Sequence, residues 1–209
     1  PVEYEIARST SLTAAGLPDS SHEARGLNLQ WRQRFNPAWS LSVTAGLQRT
    51  ELDQRGVFPF PFPSPGPELA LAGARLWQRF DPLSVTPSLI GQFEGGSVRH
   101  TLLVGLEADQ TDDDAFLRFS PGLGLLGFVD VRDPQAPAWL EPEAPSSPDQ
   151  VNRYRTIALA VQDQVSIGER LHVLASARAA RVEVRDRNPL FGVDNDTPNS
   201  RVSPRLGLV

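Results

Sequence analysis

Three phenylalanines alternate with three prolines in Phe58-Pro59-Phe60-Pro61-Phe62-Pro63, the most unusual segment of this chain, which reads either as a ligand-contacting surface or as a Pro-rich loop that resists pairing and proteolysis. Alternating proline fixes φ, favours polyproline II and removes backbone donors. A loop of that kind would carry three rings on a stiff arm, able to stack on an amphipathic organic ligand. Trp139, in another polar, proline-rich stretch, is a weaker partner for the same surface. Other reactive residues are sparse. His22, His100 and His172 share no helical or single-strand ligand spacing, so solvated or interfacial imidazoles are expected rather than a metal site. Asp112-Asp113-Asp114 and Asp194-Asn195-Asp196 offer hard oxygen ligands but lack the twelve-residue calcium-loop pattern with its closing Glu. They read as solvated loop tips. No nucleophile-elbow motif occurs, and a Ser-His-Asp site is defined by geometry rather than by sequence. No catalytic residue, metal ligand or cofactor is therefore assigned.

The elements that position these residues alternate with a period of two. Leu27, Leu29, Trp31 and Phe35 alternate with Asn28, Gln30, Arg32 and Arg34. After Asn36-Pro37-Ala38, Trp39, Leu41, Val43, Ala45 and Leu47 alternate with Ser40, Ser42, Thr44, Gly46 and Gln48. Such patterning makes strands with one apolar and one polar face. Further hairpins pivot at Gly95-Gly96-Ser97 and Gly168-Glu169-Arg170. Strands are expected at about 2–9, 25–35, 39–52, 75–93, 98–110, 153–166, 171–186 and 201–209, with long connections at 10–24, 53–74, 111–152 and 187–199. Leu69–Phe80 has helical composition, but Pro82 and Pro87 stop a helix, and a strand is favoured. Turns that run short, long, short, long are sorted as in an outer-membrane barrel. Phe35, Trp39 and Phe93 sit beside the short turns, where an interfacial aromatic girdle belongs. The soluble alternative is a sandwich with Leu29, Trp31 and Leu41 buried between two sheets.

Composition narrows the classes. Of 209 residues, 40% are hydrophobic, yet no run approaches the roughly 20 apolar residues of a spanning helix. A mean hydropathy of -0.27 does not exclude the membrane, because a barrel presents only alternate side chains to lipid. Absence of cysteine excludes disulfides and Cys-based zinc sites. A net charge of -5 argues against a nucleic-acid partner. The chain has no methionine, opens on Pro1 and ends in a strand-like run, which leads us to expect an internal fragment whose export signal was removed or lies elsewhere.

Three stretches resemble the barrel of TonB-dependent ferric-siderophore receptors. Gly91-Gln92-Phe93-Glu94-Gly95-Gly96-Ser97-Val98-Arg99-His100-Thr101-Leu102-Leu103-Val104-Gly105 is similar to the family hairpin "G-K-F-x-T-G-P-V-x-H-T-L-L-x-G". Ala160-Val161-Gln162-Asp163-Gln164-Val165 resembles "Y-x-Q-D-Q", with Arg178 where the family has "G-G-R-Y-D". Ser203-Pro204-Arg205-Leu206-Gly207-Leu208-Val209 resembles "F-S-P-R-x-G-L-V-Y". The chain departs from the pattern at Ala160 for Tyr, Ser176-Ala177 for Gly-Gly, Ala179-Ala180 for Tyr-Asp and Val202 for Phe.

The resemblance implies an all-β, antiparallel transmembrane barrel segment: about eight strands of a 22-strand-type barrel, with long extracellular loops and short periplasmic turns. Residues 1–209 would be a partial barrel domain, the plug domain and remaining strands lying outside it. The implied activity is ferric-siderophore uptake across the outer membrane of a Gram-negative bacterium. Implied partners are a ferric siderophore or other large chelate, the TonB complex through a missing N-terminal region, and outer-membrane lipids. Phe58, Phe60, Phe62 and Trp139 become the expected substrate contacts. Arg32, Arg34, Gln48, Gln162 and Gln164 are expected to face the plug. A passive porin, a structural barrel and a barrel hydrolase are the alternatives.

Overall fold

Period-two patterning closes into one antiparallel sheet. The computed structural model describes residues 12–60, 66–122, 124–145, 149–188 and 191–208. In chain order these form β1 (Ser21–Arg34), β2 (Trp39–Pro59), β3 (Glu68–Gly95), β4 (Val98–Phe119), β5 (Leu125–Asp130), β6 (Ala144–Pro145), β7 (Gln150–Ile167), β8 (Leu171–Asn188) and β9 (Val193–Leu208). The sheet runs β1-β2-β3-β4-β7-β8-β9, with β5 paired to β3 and β6 to β4. No helix occurs among the described residues, and Leu69–Phe80 is strand, as expected. The strand expected at 2–9 lies outside the described residues.

Three tight turns gather at one end. Asn36 Oδ1 accepts from the backbone N–H of Ala38 and Trp39, both at 2.9 Å, closing the first. Gly96 and Gly168 supply the left-handed φ of the others, 61° and 60°. Gly168 N–H donates to the Ser97 carbonyl at 2.7 Å, tying neighbouring turns together.

At the opposite end the long connections shrink. β2 continues to Pro59 and β3 begins at Glu68, so most of 53–74 is hairpin rather than loop. β9 begins at Val193, which removes most of 187–199, and β4 takes the start of 111–152. These extensions mix apolar residues such as Phe58, Leu71 and Phe119 with charged ones, and cross-strand ion pairs such as Arg75–Asp53 and Arg79–Asp114 join them.

Prolines fit by facing missing partners. Phe58 pairs with Ala72 in β3, and Phe60 N–H donates to the Ala70 carbonyl at 2.9 Å. Pro59 therefore points its donor-less nitrogen to the other edge, where β1 stops pairing at Ser21↔Asp53. The expected polyproline arm is thus strand at Phe58 and Pro59; Phe62 lies outside the described residues. Pro82 and Pro87, of opposite parity, each interrupt the β3 ladder on one side only. The β2 register skips Asp81 and Pro82, and the β4 register skips Thr86 and Pro87.

Register partners share a face, so one apolar face can be followed across the sheet. It holds Leu27, Leu47, Leu83, Ala108, Ile157 and Ala179, and continues toward the short turns through Trp31, Val43, Val104 and Val161. Leu29 and Trp31 are 58% and 45% exposed, and no second sheet covers them among the described residues. The sandwich is excluded. Trp39 and Phe93 meet edge-on at 5.1 Å on this face beside the turns, where the girdle was expected.

Candidate functional site

Beyond the apolar band the two faces carry different chemistry. On the face continuous with the band, charges interleave. Arg75 donates twice to Asp53 at 2.8 Å, and Arg49 grips Asp81 at 2.9 and 3.1 Å, across the gap that Pro82 leaves in the ladder. Arg79 reaches Asp114 and Arg153 reaches Asp112, each at 2.5 Å; Arg185 holds Asp194 at 3.1 Å. Trp77 stacks on Phe116 at 5.4 Å, and the Arg118 guanidinium lies 4.4 Å from the Phe116 ring. Hydrogen bonding from Arg75 holds the Asp53 carboxyl below the usual carboxylate range, against a partial desolvation. The Asp112-Asp113-Asp114 run is strand, not a loop tip. Its outer members are taken by arginines, while Asp113 points to the opposite face and accepts from Gln78 at 2.8 Å. Asp194 and Asp196 likewise belong to β9.

The opposite, polar face carries His22, Thr50, Gln54, Gln78 and Phe80 around an open cavity of ≈ 600 Å³. His22 is in β1 opposite Leu52 rather than in a loop. Phe58 is on this face, 6.0 Å from Phe119. The basic residues of the chain are all arginine. Above the rung Thr111–Tyr154–Val184–Thr197, the strand arginines project from the band-side face only. Nearer the short turns the polar face regains them, as in Arg178, which donates to Glu107 at 2.8 Å. Arg32, Arg34, Gln48, Gln162 and Gln164 share this face.

Trp139 is elsewhere. Its ring covers Gly73 on the band-side face, where a Cβ at Gly73 would lie 2.9 Å from it. The indole N–H donates to Glu141, whose carboxylate bridges Arg55 and Arg75 at 3.2 and 3.7 Å. Backbone bonds from Ala15 to Pro137 and from Trp139 to Ala15 strap this segment to residues preceding β1. The sheet therefore separates Trp139 from Phe58 and Phe60, which sequence alone had joined.

Parts of a hydrolase are present but divided. Ser166 and His172 are 2.9 Å apart on the polar face, whereas the His100–Asp163 pair, at 2.8 Å, lies on the apolar face. Two different imidazoles on opposite faces cannot form one relay.

Residues 4–209 match the family described as "TonB dependent receptor-like, beta-barrel". The chain belongs to the TonB-dependent receptor β-barrel family. Family members are receptors and transporters, and the chain is not an enzyme. The metal-pseudopaline receptor CntO of Pseudomonas aeruginosa is 27% identical over 210 residues, covering 93% of this chain and 28% of that protein. The structure of P. aeruginosa FpvA bound to heterologous pyoverdines aligns with a TM-score of 0.75 at 17% identity, over 99% of this chain and 27% of FpvA. The ferric preacinetobactin receptor BauA of Acinetobacter baumannii gives 0.72 at 19% identity, over 90% and 28%. The chain spans little more than a quarter of the length of these proteins.

Proposed function

We propose that this chain is wall and outer mouth of an outer-membrane active transporter that takes up ferric siderophores or similar large metal chelates. The observation that carries the reading is the single sheet with an apolar band on one face and a hydrogen-bonding surface on the other. Leu83 to Phe93, at about 3.3 Å per residue and a tilt of roughly 40°, makes a belt about 25 Å tall, the height of a barrel's lipid-facing zone. The last apolar residue moves from Leu47 and Leu83 to Ala179 and Val202, nearer the short turns, as tilted strands crossing a flat membrane require. In this orientation the short turns are periplasmic, the polar face lines the lumen, and the long extensions of β2–β4 rise outside the cell. Phe58 and Phe60, with Phe62 following in sequence, contribute aromatic contacts to the lumenal mouth. Trp139 serves as an outer-wall clamp instead. A plug domain and the TonB-contacting segment belong to the remainder of the receptor, and energy arrives through TonB.

In cells expressing the full-length receptor, uptake of a radiolabelled ferric chelate is expected to stop when a protonophore collapses the inner-membrane gradient. Uptake of small solutes that continues without that gradient would instead identify a diffusion porin.

A further inference from the structure

We infer that the outer lumenal wall of this chain recognises metal chelates whose exposed groups are uncharged or cationic, and disfavours anionic ones. The inference rests on the transporter reading and specifies its substrate class. The cavity on β1–β3 offers His22, Thr50, Gln54 and Gln78 as hydrogen-bonding groups beside the exposed Phe80 ring, 39% accessible. Its charged neighbour is Asp113, held by Gln78. A carboxylate- or catecholate-rich chelate would need guanidinium forks there, the usual means of binding carboxylate. This chain has arginines at the same height, but alternation sends them through the sheet to the other face. There Asp53, Asp81, Asp112, Asp114 and Asp194 engage them. The arrangement follows from parity: Arg49, Arg55, Arg75 and Arg79 are all odd, as are the band residues of β2 and β3. What is left inside is an aromatic face for cation–π or stacking contact, neutral donors and acceptors, and a carboxylate for an ammonium group.

The test uses the full-length receptor in detergent and two probes, a ferric trihydroxamate with a free ammonium group and anionic ferric citrate, with binding followed by tryptophan quenching. The ratio of the two dissociation constants is the readout. Gln54→Arg, which adds a guanidinium to the cavity, is expected to shift that ratio at least tenfold toward ferric citrate, and Asp113→Asn to shift it in the same direction. A ratio unchanged in both variants, with binding intact and the barrel folded, would overturn the inference and leave the transporter reading standing. Failure of the folded wild-type receptor to bind or import either chelate would remove both. Heat-modified gel mobility checks folding in each case.

Discussion

Asp53 shows how single residues hold the outer sheet together. Its carboxylate takes a two-pronged bond from Arg75 and is approached by Arg55, and all three side chains are partly buried. Because folding lowers its pKa, its stabilisation is present above the unfolded value of 3.8 and is lost as pH falls through the lower folded value. Melting the full-length receptor as pH falls through 3.8 and below should show a loss that Asp53→Asn largely removes. At neutral pH the substitution costs about 1 kcal/mol or less, since solvent screens the pair. Gly73 makes a sharper demand. A Cβ there meets Ser120 Oγ at 2.5 Å and the Trp139 ring at 2.9 Å, so Gly73→Ala must push the indole off the wall. Faster proteolysis within residues 131–143 is the expected sign, and unchanged cleavage would show that the ring accommodates the methyl. The Phe-Pro run was visible as unusual from its letters. That it begins as a paired strand was not, because the direction of each nitrogen depends on the neighbouring chain.

Strand length is the property in which element and residue pattern part company. Regular apolar–polar alternation marks only the banded part of each strand, so the extensions of β2, β3 and β4, where it breaks down, looked like loops. They are held by ladder bonds and cross-strand ion pairs, neither of which leaves a hydrophobic period. A parity count of arginines over 49–79 was the one local clue. The Phe58–Phe60 stretch gives a direct check. Phe60→Pro deletes the N–H that donates to Ala70, whereas Pro59→Ala restores a donor at an edge that has no partner among the described residues. Hydrogen exchange at Leu71 and Ala72 should rise markedly in the first variant and stay near wild type in the second. Equal exchange in both would mean that the upper hairpin does not rely on this ladder.

Among the described residues the sheet ends at β1 and β9 without further partner strands, and few apolar residues are buried. Buried apolar residues such as Ala70, Leu71, Ala72 and Val129 cluster at the long-loop end. Unpaired edges and an exposed apolar face are an aggregation hazard. Residues 1–209 expressed alone in detergent are expected to elute as oligomers, while the full-length receptor elutes as a single species. A stable monomer would show that the sheet closes on itself. The sequence alone determined the banded part of the strands, the short turns and the apolar face with Trp39 and Phe93 beside them, because period-two alternation and turn chemistry are local. Tertiary structure alone decided which residues meet above the band. Register fixes the side from which each charge projects, and the return path of residues 131–143 fixes which wall Trp139 covers. Both depend on partners far away in the chain, which no local pattern encodes.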